Sequence, residues 1–89
     1  MGIALVTIKL MPESPETNLE EIKEKAKKII EAEAKNPRFE EEPIAFGLKA
    51  IKVFFDLDEA KELEPIEQAL REIPGVNSAQ VIDMRRAFG

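Results

Sequence analysis

The sequence contains no cysteine, no histidine, no tryptophan and no tyrosine. Without cysteine and histidine there are no disulfides, no thiolate zinc sites, no cysteine nucleophiles and no acid–base schemes that use an imidazole. Glycine is also scarce, and the four glycines lie too far apart for a glycine-rich phosphate-binding loop. The composition thus excludes most catalytic chemistry, and we expect neither a cofactor nor a bound metal ion.

Long apolar runs are missing as well. No segment approaches the roughly 18 apolar residues of a membrane span, and the opening MGIALVTIKL is too short and too alternating for a secretory signal. We therefore expect an intracellular, cytoplasmic protein without a membrane partner. The net charge of −5 disfavours nucleic acid as the main partner, because surfaces that bind phosphate backbones are usually basic.

The length of 89 residues and the hydrophobic content of 44% suit one globular domain, residues 1–89. Alternating apolar residues predict four strands, and apolar residues at steps of three and four predict two helices. The predicted strands cover residues 3–11, 38–42, 49–57 and 76–84.

Capping and turn residues bound the two helices. Thr17 and Asn18 both have capping-box spacing for the first helix, which is expected to end near Glu33. Pro65 fits the first turn of the second helix, and Pro74-Gly75 is expected to end it. The order β-α-β-β-α-β predicts an α+β, ferredoxin-like sandwich, in which a four-stranded antiparallel sheet carries two helices on one face.

The segment PIAFGLK, residues 43–49, is expected to form the bend of a hairpin between the second and third strands. Phe46 has two interpretations. Phenylalanines are mostly buried, which favours a core position, as we expect for Phe55. Gly47, however, permits unusual backbone geometry, and a bend displaying Ile44 and Phe46 would be an exposed apolar knob of the kind that marks a partner surface.

Three other features are candidates for function. The acidic run Glu40 to Glu42 is interpreted as a solvated sheet edge rather than a cation site, because calcium loops need oxygen ligands at set offsets. Phe54 shares a strand face with Lys52 and resembles half of an RNA-stacking platform. Arg85 and Arg86 form a charged chain end, which together with Phe88 would make a second contact.

Three segments together resemble the archaeal translation elongation factor 1-beta family. These are MPESP at residues 11–15, EEPIAFGLKA at 41–50 and VIDMRR at 81–86. The central block is the most specific, because the Pro–small–aromatic–Gly–aliphatic–Lys pattern is shared with the catalytic domain of the eukaryotic counterpart. The resemblance covers the whole chain.

The resemblance implies a guanine nucleotide exchange factor for elongation factor 1-alpha, the GTPase that delivers aminoacyl-tRNA to the ribosome. It implies a monomer before the GTPase is bound, and a partner surface on Pro43, Ile44, Phe46, Gly47 and Lys49, with Phe46 as a wedge. Eukaryotic members place a lysine just before the last residue, aimed at the Mg²⁺ site of the GTPase. Here Phe88 takes that place, so either an arginine at position 85 or 86 substitutes or the metal is loosened differently.

Two alternatives to the exchange factor stay open on sequence. The junction LREIPGV, residues 70–76, recurs in ferredoxin-like modules that sense small molecules. An RNA-binding domain is the other alternative, although the negative charge opposes it.

Overall fold

The computed structural model describes residues 2–88. Within them, four strands and two helices follow one another in the predicted order. The elements are β1 (Ile3–Pro12), α1 (Leu19–Glu33), β2 (Lys35–Pro43), β3 (Lys49–Asp58), α2 (Glu64–Arg71) and β4 (Val76–Phe88). The strands form an antiparallel sheet in the order β2-β3-β1-β4, which confirms the predicted ferredoxin-like fold.

The core lies between the sheet and the two helices, with α1 packed over β2 and β3 and α2 over β1 and β4. Alternate residues of the central strands point into it, as the period of two predicts. The buried residues of these strands include Ala4, Val6, Ile8, Leu10, Ile51, Val53, Phe55 and Leu57. Each large side chain buried there contributes about 1.5–3 kcal/mol, and the predicted core position of Phe55 is confirmed.

Helix α1 begins after Asn18, whose side-chain oxygen accepts a hydrogen bond from the Glu21 N–H at 3.2 Å. This contact satisfies one of the unpaired donors of the first turn. Thr17, the other predicted cap, instead accepts a bond from the Ser14 N–H. The apolar stripe of α1 buries Ile22, Ala26 and Ile30 against the sheet.

Element bounds differ from the prediction by more than one residue in three places. Strand β2 begins at Lys35 because the predicted turn is a bulge, in which Asn36 adopts a φ of +56°. Asparagine tolerates this left-handed region better than most residues. Strand β4 continues to Phe88 because its backbone keeps pairing with β1, and α2 ends at Arg71, before the predicted Pro74-Gly75 stop.

No helix in residues 2–88 is long and apolar enough to cross a membrane.

Candidate functional site

The bend between β2 and β3 is a tight turn at one end of the sheet, which we call the hairpin tip (residues 44–48). The Leu48 N–H donates to the Ala45 carbonyl at 2.9 Å, and the Ile44 N–H donates to the Leu48 carbonyl at 2.8 Å. The two central residues, Phe46 and Gly47, have φ angles of +56° and +80°. Positive φ at both positions characterises the type I′ turn, whose twist matches that of the flanking strands.

Phe46 is the outermost side chain of the hairpin tip. It is 96% exposed, and Ile44 beside it is 42% exposed. The core interpretation of Phe46 is therefore wrong, and the interpretation as an exposed apolar knob is the one that fits. A left-handed backbone costs a residue with a side chain about 1–2 kcal/mol, and asparagine or aspartate is the usual choice at this turn position. Neither strain nor exposure is explained by packing within the chain, which points to a partner.

The base of the hairpin is formed by Pro43 and Lys49, which pair across the last register position of β2 and β3. Pro43 lacks an N–H and therefore suits an edge strand, and β2 is indeed at the edge of the sheet. Lys49 is exposed, so it presents a positive charge beside the apolar knob.

The acidic run of β2 takes part in ion pairs as well as lining the predicted edge. The Glu41 carboxylate lies 2.6 Å from the Lys23 ammonium of α1, and Glu42 lies 3.3 Å from Lys52 and 3.6 Å from Lys9. Hydrogen bonds from these lysines hold the pKa of both carboxyls below the ordinary value of 4.5. Within residues 2–88 no group of three carboxylates converges as metal ligands.

The two arginines near the C-terminal end of β4 are exposed and ion-paired within the chain. The Arg85 Nε lies 3.0 Å from Asp83 Oδ2, and the Arg86 Nε lies 2.6 Å from Glu59 Oε2 in the loop after β3. The backbone of Arg85 is opposite Leu5 and that of Arg86 opposite Ala4, so the two side chains leave opposite faces of the sheet. The side chain of Phe88 lies outside the described part of the structure.

The predicted site residues do not form one cluster. Across the sheet, Arg86 of β4 pairs with Ala4 of β1, which in turn pairs with Leu57 of β3. Leu57 is eight positions along β3 from Lys49. At about 3.4 Å per residue this places the two groups about 27 Å apart. Pro43 to Lys49 are brought together at one end of the sheet, and the arginines lie at the other.

Two features of the structure did not emerge from sequence reasoning. The turn between β1 and α1 (residues 13–18) lies beside the hairpin tip, and Pro15 and Gly47 line a groove of about 310 Å³ between the two segments. A cavity of about 430 Å³ opens between the start of β1 and the end of α1, lined by Leu5, Ala34 and Asp56 among others. It contains none of the predicted site residues.

A known protein family matches almost the whole chain. The sequence model of the EF-1 guanine nucleotide exchange domain matches residues 5–87. The chain belongs to this family.

Relatives of this exchange domain match it over nearly their whole length. A protein named elongation factor 1-beta from Methanosarcina barkeri is 47% identical over 88 residues, which cover 97% of this chain and 99% of the relative. Proteins of the same name from Methanocaldococcus jannaschii and Methanobrevibacter smithii are 42% and 39% identical, and the chain covers 100% and 98% of their lengths.

The resemblance to the archaeal elongation factor 1-beta family is confirmed by these matches, and so is the predicted role. The exchange domain is a guanine nucleotide exchange factor of translation elongation. The small-molecule sensor and the RNA-binding domain are not favoured.

Proposed function

We propose that this exchange domain binds elongation factor 1-alpha in its GDP-bound or nucleotide-free form, promotes the release of GDP and lets GTP enter. It acts as a single domain, as a monomer before it meets the GTPase, in the cytoplasm and without direct contact to nucleic acid or membrane. No covalent bond is formed or broken, since the domain works through binding alone.

Thermodynamic linkage explains how binding alone can accelerate exchange. A factor that stabilises the nucleotide-free GTPase must weaken nucleotide binding by the same factor. A nucleotide bound with nanomolar affinity is held by about 12 kcal/mol, and much of that comes from Mg²⁺ and the backbone amides around the phosphates. A side chain that wedges the GTPase into an open shape opposes these contacts.

Phe46 is the residue that we propose as the wedge. The observation that carries the proposal is its 96% exposure in a left-handed conformation at the hairpin tip. Burying this phenylalanine in a pocket of the partner contributes about 1.5–3 kcal/mol to binding, because the side chain is exposed in the free domain.

The other residues of the tip support this contact. Ile44, 42% exposed, extends the apolar surface beside Phe46. Gly47 supplies the second left-handed residue of the turn. Pro43 and Lys49 pair at the hairpin base, where the Lys49 ammonium is available to a carboxylate of the GTPase.

Arg85, Arg86 and Phe88 form a second contact in this proposal. Because this group lies about 27 Å from the hairpin base along β3, the domain must reach two separate areas of the GTPase at once. An arginine near the Mg²⁺ site would disfavour the metal by charge repulsion. It must first leave its own carboxylate, Asp83 or Glu59.

The test is the release of fluorescent GDP from the cognate elongation factor 1-alpha. The domain at micromolar concentration should accelerate release, and Phe46→Ala should lose most of the acceleration while its circular dichroism spectrum is unchanged. Ile82→Ala is the matched control, because Ile82 is a similarly exposed apolar side chain, 44% exposed on β4, and is not among the residues of either proposed contact. No acceleration by the unmodified domain contradicts the exchange role on this partner, and full activity of Phe46→Ala contradicts the wedge.

A further inference from the structure

The cavity between the start of β1 and the end of α1 is large enough for a small organic molecule. Its volume is about 430 Å³, and pockets that bind small molecules measure roughly 300–1,000 Å³. At about 30 Å³ for each water it corresponds to about fourteen water molecules. A ligand of several heavy atoms therefore fits this space better than a single ordered water does.

Part of the cavity wall is apolar. Ile3 and Leu5 of β1 line it together with Ala32 and Ala34 at the end of α1. Because side chains alternate along a strand, Ile3 and Leu5 lie on the sheet face opposite the core, and Leu5 is 38% exposed there. An aliphatic chain that covers such a surface gains up to about fourfold in affinity for each methylene group that it buries. The wall thus favours a ligand with a hydrocarbon chain.

The rest of the wall is charged, and carboxylates are in excess. The carboxylates of Glu31, Glu33, Asp56 and Asp58 line the cavity with the ammonium groups of Lys35 and Lys61. Lys61, in the loop after β3, is paired with Glu33 at 3.2 Å. The other groups are three carboxylates and one ammonium group, an excess of two negative charges. A cavity lined mainly by one sign of charge attracts ligands of the opposite sign.

Two of these carboxylates have capacity for a further partner. Asn36 donates a hydrogen bond to Asp56 Oδ2 at 2.7 Å, whereas within residues 2–88 nothing donates to the buried Oδ1. The Arg38 guanidinium is 3.5 Å from Oδ1, which is too long for a strong hydrogen bond. A carboxylate accepts about four hydrogen bonds, so Asp56 is short of donors. Glu31 takes part in no ion pair within the same residues.

We infer that this cavity binds an aliphatic diamine. Its hydrocarbon chain lies along Leu5 and Ala34, one ammonium group meets Asp56 at Oδ2, and the other meets Glu31. The two positive charges of the ligand match the excess of two carboxylates in the wall. The inference is independent of the proposed exchange mechanism, because the hairpin tip, Arg85 and Arg86 do not line the cavity.

The experiment is a titration of the isotope-labelled domain with 1,5-diaminopentane at constant ionic strength, followed by amide chemical shifts. A ligand of this size is expected to bind with a dissociation constant of about 1 mM. Saturable shifts should appear at the amides around the cavity, among them Leu5, Ala34 and Asp56, while the amide of Phe46 should not move. The shorter 1,3-diaminopropane should bind about tenfold more weakly, because it buries less hydrocarbon.

Two further ligands with the same hydrocarbon chain test the charge. Pentanoate is an anion and should cause no saturable shifts. Pentylamine carries a single ammonium group and should bind at least about threefold more weakly than the diamine. Equal affinity of pentylamine and the diamine overturns the inference and fits the lysine side chain of a partner protein instead. Binding of pentanoate as tight as that of the diamine overturns it too.

Variants of the domain test the proposed pose. Asp56→Asn and Leu5→Ala should each weaken binding of 1,5-diaminopentane about threefold to tenfold. Glu40→Gln on β2 and Ile82→Ala on β4 are the matched controls, because neither residue lines the cavity, and they should leave the affinity unchanged. Leu5→Ala alters an exposed side chain and keeps the test decisive if Asp56→Asn fails to fold. Absence of saturable shifts in the unmodified domain overturns the inference, and so does unchanged affinity in a folded Asp56→Asn or Leu5→Ala.

Discussion

Arg86 on β4 donates from its Nε to the Oε2 of Glu59 across 2.6 Å, and so ties the end of the last strand to the loop after β3. The arginine side chain is 65% exposed. Ion pairs this accessible contribute about 0–1 kcal/mol. The pair is therefore weak enough for a carboxylate or phosphate of a partner to replace Glu59.

The positive charges of Arg85 and Arg86 on β4 are expected to contribute to exchange. Arg85→Ala together with Arg86→Ala should slow fluorescent GDP release, and the loss should be largest at high Mg²⁺, where displacing the metal is hardest. Glu59→Gln removes the same ion pair but keeps Arg86, so it should retain exchange. Equal losses in both variants would show that the ion pair, not the cation, matters. Unchanged rates in the double variant would remove the arginines from the mechanism.

Relieving the backbone strain at the hairpin tip is expected to raise the stability of the domain and to lower its exchange activity. Phe46→Asn creates the Asn-Gly pair that type I′ turns favour. Because almost no Phe46 surface is buried, the free energy of unfolding should rise by about 0.5–1 kcal/mol. Urea unfolding measures this gain, while exchange should fall to the level of Phe46→Ala.

The matched control for this change is Ala45→Asn, one residue earlier in the turn. Ala45 is not among the residues with positive φ, so the same side chain should bring no gain there. A lower urea midpoint for Phe46→Asn would mean that the phenylalanine makes stabilising contacts in the free domain.

Sequence reasoning found the core because burial of one sheet face imposes a period of two. Val6, Ile8 and Phe55 follow that period, and each is buried. The sequence could not decide whether Phe46 is buried or exposed, because an apolar ring suits a core and a partner surface equally well. The predicted β4 ends at Met84, which is too early. The charged side chains of Arg85 and Arg86 give no sign that their backbones continue to pair with β1.

The proximity of Pro15 to Gly47, which line one groove, could not be predicted from the sequence. The two residues are 32 positions apart in the chain, and neither carries a signal for the other. The predicted fold places β1 beside β3, which brings their loops to one end of the sheet. The topology therefore predicts that the two loops are neighbours, whereas the distance between individual residues depends on turn conformations such as the φ of +80° at Gly47.

A side chain at position 75 is expected to clash with Thr17, and a second substitution at Thr17 should relieve that clash. Its φ is +94°, and an added Cβ would lie 2.9 Å from the Thr17 Cγ2. Gly75→Ala should therefore lower the free energy of unfolding by about 1–3 kcal/mol, through the backbone and the clash together. Adding Thr17→Ser removes the methyl but keeps the hydroxyl that Ser14 uses, and should recover the steric part. No recovery would place the whole cost in the backbone.

The ion pair between Lys23 and Glu41 predicts how stability depends on pH. The hydrogen bond that the Lys23 ammonium donates to the Glu41 carboxylate lowers the pKa of Glu41 and raises the pKa of Lys23 above its ordinary value of 10.5. A lowered carboxyl pKa stabilises the fold above the unfolded pKa, about 4.5, and this contribution is lost as pH falls through the folded pKa. The raised lysine pKa contributes fully below about 10.5 and is lost at higher pH.

Urea unfolding between about pH 3 and pH 7 tests the acidic limb, because the unfolded state binds more protons there. The free energy of unfolding should decrease toward acid, and Glu41→Gln should flatten that decrease. Lys23→Gln should flatten it too, since the carboxyl then loses the donor that lowers its pKa. The double variant should be no flatter than Glu41→Gln, because each change removes the same interaction. A slope that Lys23→Gln leaves unchanged would show that the pair does not form in solution.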